Sequence, residues 1–143
     1  MTAYIDADLR DTPAILERAA GVLDFGQPVA VMLLGILQGI PDAGDPGAII
    51  GRLMDAVPPG SYLAISQIAS DVAADEVAEG VQRYNAQAAA PVAARTQAEV
   101  CRFFAGLELL EPGIVQVHRW RPGTGDLGSG RNLAIYAGVG RKT

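Results

Sequence analysis

The sequence predicts an α/β fold with a mostly parallel sheet, on three observations. The first is Val29–Leu34, an unbroken apolar run that opens with a β-branched residue, follows Pro28 and leaves through Gly35. A strand that is apolar on both alternating faces is expected to be covered on both, as a central parallel strand is. The second is the alternation of such runs with segments of helical periodicity, the pattern of βα units. The third is composition: half of the 143 residues are apolar and 19% are charged, which fits one folded domain over 1–143 rather than a disordered chain.

In chain order, Ala3 to Asp6 reads as a short strand. Asp11-Thr12-Pro13 then supplies a capping side chain followed by Pro at the first helical turn. Ile15, Leu16, Ala19, Ala20 and Leu23 recur at helical spacing, so a helix is expected over Pro13 to Leu23. The Val29–Leu34 strand follows. After it, Asp45 can cap a helix whose apolar face is Ile49, Ile50, Leu53, Met54 and Val57, stopped by Pro58-Pro59-Gly60. Tyr62 to Ser66 reads as a second buried strand.

A helix is then expected from Asp71 or Ala74 through Val77, Val81, Tyr84 and Ala88, ending before Pro91. Thr96, with Glu99 three residues on, reads as a capping box for a helix over Gln97 to Ala105, and Gly106 suits the left-handed position that ends it. Ile114 to His118 alternates cleanly enough for an antiparallel or edge strand. Arg121 to Arg131 is Gly-rich loop, and Leu133 to Val139 closes the chain as the last strand of a hairpin.

Charge and special residues narrow the function. The formal net charge is −5, with 11 basic and 16 acidic side chains and no basic cluster before Arg141-Lys142, so nucleic acid is not an expected partner. No apolar stretch approaches the roughly 18 residues of a membrane span, and the N-terminal residues lack the pattern of a signal peptide. One cysteine, Cys101, rules out an internal disulfide and fits a reducing cytoplasm; as a lone thiol on a helix it is expected to be buried.

Several motifs invite a chemical reading. Gly123-Thr124-Gly125-Asp126-Leu127-Gly128 matches G-x-G-x-x-G, but a dinucleotide site needs those glycines to open a helix after a strand. Here they lie between two strands and read as a flexible hairpin. His118, the only histidine, has no Cys or His neighbours from which to build a metal site, so none is expected. Ser61, Ser66 and Ser70 lack the G-x-S-x-G turn of a nucleophile.

Asp6 and Asp8 are more informative. Acidic residues beyond the carboxyl end of a strand face the ligand crevice of an open α/β sheet. A carboxylate there can accept a hydrogen bond from an amino or hydroxyl group of a nucleoside while Leu9 packs on the base; helix capping and solvation account equally well for Asp8. Past the apolar strand, Gly35 allows close backbone approach, and Gln38 is the one polar side chain in Leu34-Gly35-Ile36-Leu37-Gln38-Gly39.

Five segments in order carry a resemblance: A-Y-I-D-A-D-L-R-D, P-V-A-V-M-L-L-G-I-L-Q-G-I-P-D, P-P-G-S-Y-L-A-I-S, R-F-F-A-G-L-E-L-L-E-P-G-I-V and A-G-V-G-R-K. From Ala3 to Lys142 the chain resembles the actinobacterial S-adenosylmethionine-dependent methyltransferases, a family once catalogued as a domain of unknown function. That resemblance implies a three-layer, Rossmann-like class I methyltransferase sandwich with an antiparallel C-terminal hairpin. Ala3–Asp6 would be the family's third strand, Val29–Leu34 its fourth, Tyr62–Ser66 its fifth, Ile114–His118 its sixth and Leu133–Val139 its seventh.

The first two strands of that family, with the Gly-rich cofactor loop, have no counterpart here, so the resemblance is to the C-terminal half. It implies S-adenosyl-L-methionine as cofactor, with Asp8 and Leu9 at the adenine and Leu34, Gly35 and Gln38 at the methionine end. By the same resemblance many members carry His where Gln38 stands; if that His assists chemistry, the amide cannot supply the same acid–base function, though it can still donate and accept hydrogen bonds. No catalytic residue is assigned and the methyl acceptor is unknown.

Without its two inner neighbours the fourth strand has a bare edge, which invites strand addition. Ala3–Asp6 is expected to move beside Val29–Leu34. Self-association, or pairing with a separate N-terminal half, is another way to fill that edge, and alone in solution the chain is expected to be poorly stable. The alternative function is accordingly a non-catalytic, truncated or split α/β module.

Overall fold

The computed structural model describes residues 1–125 and 132–143. Among these residues five strands form one mixed sheet: β1 (Ala30–Leu34), β2 (Tyr62–Ile68), β3 (Glu108–Leu109), β4 (Val115–Gln116) and β5 (Ile135–Arg141). The order is β1-β2-β5-β3, with β4 on the same edge of β5 as β3. β1 runs parallel to β2, from Ala30 opposite Tyr62 to Leu34 opposite Ser66. β2 is antiparallel to β5 along its whole length, and β3 and β4 are antiparallel to opposite ends of β5.

The α/β class holds, but with one parallel pairing and three antiparallel ones the sheet is mixed rather than mostly parallel. The difference lies mainly at the front of the chain. Ala3 to Asp6 forms no strand and does not move beside β1. Ala3 and Tyr4 are exposed, and the Asp6 carbonyl accepts from Arg18 Nη1 at 2.7 Å, a side-chain contact in place of a ladder. At the other end, the extended stretch shortens to β4 because Val117–Arg119 turns into a 3-10 helix.

The helices are α1 (Thr12–Ala20), α2 (Pro46–Asp55), α3 (Ala74–Gln87) and α4 (Gln97–Arg102). Their starts follow the sequence. Asp11 Oδ1 accepts from Ala14 N at 3.3 Å, and Asp45 Oδ1 accepts from Ala48 N at 3.1 Å, each cap leading into a Pro in the first turn. At α4 the capping box is complete: Thr96 Oγ1 accepts from Glu99 N, and Glu99 Oε2 accepts from Thr96 N. Both α1 and α4 end three residues short of expectation, α4 with Gly106 beyond it at a φ of +79°.

One face of the sheet carries the core. Leu33, Leu63 and Ile65 pack with Ile49, Ile50, Leu53, Met54 and Val57 from α2 and its exit, and with Val100 and Phe104 from α4 and its exit. Val100 and Phe104 take the inward positions of α4, which turns Cys101 outward. The expected buried thiol is exposed. Gly138 and Gly140 of β5 let the core approach closely: a Cβ on Gly138 would collide with Ile114, and one on Gly140 would stand 2.8 Å from the Phe104 ring.

The opposite face is only partly covered. Leu33 is 5% exposed, whereas Met32 and Leu34 beside it are 61% and 56% exposed. The two-sided cover expected of this strand is therefore absent among the described residues. Among them, too, no helix is long and apolar enough to cross a membrane.

Candidate functional site

The turn after β1 lies at the carboxyl end of the parallel β1–β2 pair, where open α/β sheets bind ligands. Gly35 donates its N–H to the Ser66 carbonyl at 3.2 Å and then bends at a φ of +67°, a conformation that L side chains rarely adopt. No atom lies within 4 Å of where its Cβ would stand, so the backbone faces open space. Leu34 and Ile36 flank it, both exposed. Leu37–Gly39 forms a 3-10 turn in which Leu37 is fully buried and anchors the turn in the core.

Gln38 is half-buried, and its carbonyl accepts from Ala93 N at 2.7 Å. It borders a cavity of about 250 Å³ shared with Ile68, Gly80, Val81, Tyr84 and Val92. Most of those residues are apolar. The cavity joins the turn after β1 to the end of β2 and to α3.

Asp8 and Leu9 sit on a second, preformed turn. Asp11 N donates to the Asp8 carbonyl at 2.9 Å, and the buried Thr12 donates from Oγ1 to the Leu9 carbonyl at 3.1 Å. Leu9 is half-buried against the core. Asp8 is exposed, with Oδ1 accepting from Arg10 N and Nε and Oδ2 accepting from Arg10 Nη2 at 2.9 Å. The hydrogen bonds from Arg10 hold its carboxyl down at about 2, so the charge is kept at neutral pH.

The structure thus brings Leu34, Gly35 and Gln38 together on one turn and Asp8 and Leu9 on another. No hydrogen bond links the two turns among the described residues.

Sequence reasoning missed a buried polar cluster behind the first turn. Arg95 is 3% exposed, and its guanidinium donates from Nη1 to the Leu37 carbonyl at 2.9 Å and to Gln67 Oε1 at 3.0 Å. Nη2 donates to the Ile40 carbonyl and to Asp42 Oδ1 at 3.2 Å. Gln67, wholly buried on β2, completes the cluster by donating from Nε2 to the Ala93 carbonyl at 2.8 Å. Nothing in A-A-P-V-A-A-R-T signals a buried arginine. The one available hint is Gln67, a polar side chain among the inward positions shared with Leu63 and Ile65.

The remaining sequence candidates assemble nothing further. Both ring nitrogens of His118 are buried without a hydrogen-bond partner, and no group of His, Cys, Asp and Glu side chains among the described residues could hold a metal. The glycine motif at Gly123 runs into residues 126–131, which lie outside the described residues.

A family model described as S-adenosyl methyltransferase matches residues 1–143. Among solved structures, a DUF574 family protein from Streptomyces avermitilis is 40% identical, superimposes with a TM-score of 0.94, and is matched over 99% of this chain and 55% of its own. A candidate methyltransferase from Thermobifida fusca is 31% identical with a TM-score of 0.83, over 96% of this chain and 52% of its own. The chain therefore spans about half the length of these relatives. Human N-acetylserotonin methyltransferase in complex with SAM is 12% identical with a TM-score of 0.50, over 91% of this chain and 38% of its own, a likeness of fold alone. No curated protein matches the chain.

Proposed function

The chain belongs to the S-adenosyl methyltransferase family, and we propose that it forms part of an S-adenosyl-L-methionine site used for methyl transfer to an acceptor yet to be identified. The observation that carries this reading is Gly35: a left-handed glycine at the carboxyl end of a parallel strand, with open space where a side chain would stand. When bound, the cofactor supplies a methyl group activated by its sulfonium.

The residues present fit that group in part. Leu34 and Gly35 offer an apolar contact and a close backbone approach at the methionine end. The Gln38 amide can donate and accept hydrogen bonds at the same end of the cofactor, beside the cavity that the residue borders. Asp8 keeps its charge and, although engaged by Arg10, retains lone pairs that can accept from the adenine amino group while Leu9 packs on the ring.

In this reaction class the protein acts mainly by binding the two partners in line, so positioning carries the catalysis. No side chain here is proposed as a general base. The outer edge of β1, unpaired among the described residues, supports a partner strand from outside these 143 residues or from a second copy. A cytoplasmic setting suits the exposed, unpaired thiol of Cys101.

Titration of the isotope-labelled chain with S-adenosylhomocysteine, followed by amide chemical shifts, tests the site. Shifts are expected at Asp8, Leu9, Leu34, Gly35 and Gln38, with weaker than micromolar affinity because few groups contact the ligand. Unchanged spectra at millimolar ligand, or shifts confined to other residues, would overturn the assignment.

A further inference from the structure

We propose that Arg95 is a positioning residue, which fixes the Gly35–Ile40 turn against β2 and so sets where Gly35 and Gln38 meet a bound methyl donor. The inference rests on the cofactor reading above, but its first step stands on contacts alone.

Three carbonyls of one short turn are held by a single three-residue segment. Leu37 O and Ile40 O accept from the Arg95 guanidinium, and Gln38 O accepts from Ala93 N. Arg95 is itself held from behind: its backbone N donates to the Ile68 carbonyl at 2.9 Å, and Ser70 N donates to its carbonyl at 2.9 Å. The Phe103 ring lies 5.3 Å from the guanidinium carbon. The end of β2 therefore holds the backbone of Arg95, while the turn and the Phe103 ring both meet its guanidinium.

The chemistry argues for placement over simple stability. A buried guanidinium is costly to desolvate, and replacing such a group by apolar side chains is often neutral or stabilising. Its one carboxylate partner, Asp42, is 86% exposed, so that pair is well screened and does little to offset the cost. A fork of N–H donors in fixed geometry does supply direction. Four of its donor contacts fan out to Leu37, Ile40, Asp42 and Gln67, locations 25 or more residues away in sequence. Apolar packing could bury this turn but could not fix the orientation of its carbonyls, and with them the backbone that follows Gly35.

The test compares the chain with R95M, R95K and G35V. Amide hydrogen exchange reads the turn, and chemical-shift titration with S-adenosylhomocysteine reads the site. In R95M, exchange at Gly39 and Ile40 should rise by about tenfold or more while the β2 and β5 amides keep their protection, a pattern that general destabilisation does not produce. Ligand affinity should fall by about tenfold, consistent with misplacement of a positioned contact. R95K, which keeps the charge but not the fork, should fold if R95M does not, and should fall between the two.

Unchanged turn exchange in R95M, or in R95K where R95M does not fold, overturns the proposal whatever the ligand does. A loosened turn with affinity lowered by G35V and not by the Arg95 variants also overturns it. If neither G35V nor the Arg95 variants alter ligand binding, the cofactor assignment to this turn is what fails, and the exchange result alone then reports on the clamp.

Discussion

At the scale of single residues, side chains that organise this molecule do so across long stretches of sequence. Tyr136 on β5 donates its hydroxyl to Asp71 Oδ1 at 2.8 Å, and Asp71 Oδ2 accepts from Gln97 N at the start of α4. Burial first, and then the hydrogen bond to Asp71, push the Tyr136 hydroxyl up to about 12. Because the folded value lies above the ordinary 10, the fold binds this proton more tightly than the unfolded chain does. The contribution is complete below pH 10 and is lost as pH rises towards 12. Urea unfolding across that range should show an alkaline loss of stability that is reduced in Y136F, and the absorbance titration of Y136F should lack one late-ionising tyrosinate. An alkaline limb unchanged by the substitution would contradict this account. Gly35 and Gln38 were legible in the sequence because their signals are local: a glycine ending a strand and one amide in an apolar run. Arg95 was not, because its partners Leu37 and Ile40 lie 58 and 55 residues away.

The elements themselves follow local rules closely. Asp11, Asp45 and Thr96 cap the helices that the sequence assigns to them, and the α2 stripe of Ile49, Ile50, Leu53 and Met54 is buried as its spacing requires. β1 departs from expectation in its surroundings rather than its existence. An all-apolar strand reads as covered on both faces, yet only the face of Val31 and Leu33 packs on α2 and the core. The contrast within one strand gives a sharp expectation. L33A should cost about 2–5 kcal/mol in urea unfolding, as deletion from a packed core does. M32T, one residue away, should stay within about 0.5 kcal/mol as a surface change. Equal losses at both positions would mean that the exposed face is covered in solution. Ala3 to Asp6 forms no strand although the outer edge of β1 is free among the described residues: Ala3 and Tyr4 are exposed, and Arg18 takes up the carbonyl of Asp6.

For the whole molecule, among the described residues, the sheet has a packed face, a partly bare face and, at β1, a bare edge. Among those residues β1 pairs only with β2, and its outer backbone groups run beside the exposed Met32 and Leu34. An uncharged, apolar edge of this kind templates further strands. Sedimentation of the 143-residue chain should show mass rising with concentration, and M32K should suppress that rise without unfolding the protein. A monomer at every concentration would show that the edge is protected. Family membership and the half-length match to the Streptomyces and Thermobifida proteins agree with such a surface without requiring any one occupant.

By itself, the sequence determined the α/β class, the helix starts, the all-apolar strand with its glycine exit, and the family, because each is written in spacing, caps and ordered local motifs. Only the tertiary structure decided that Ala3 to Asp6 stays out of the sheet, that β1 is covered on one face, and that a buried arginine holds the turn after it. Those outcomes depend on which distant segments meet, and neither periodicity nor propensity encodes the partner of an edge or the far end of a guanidinium.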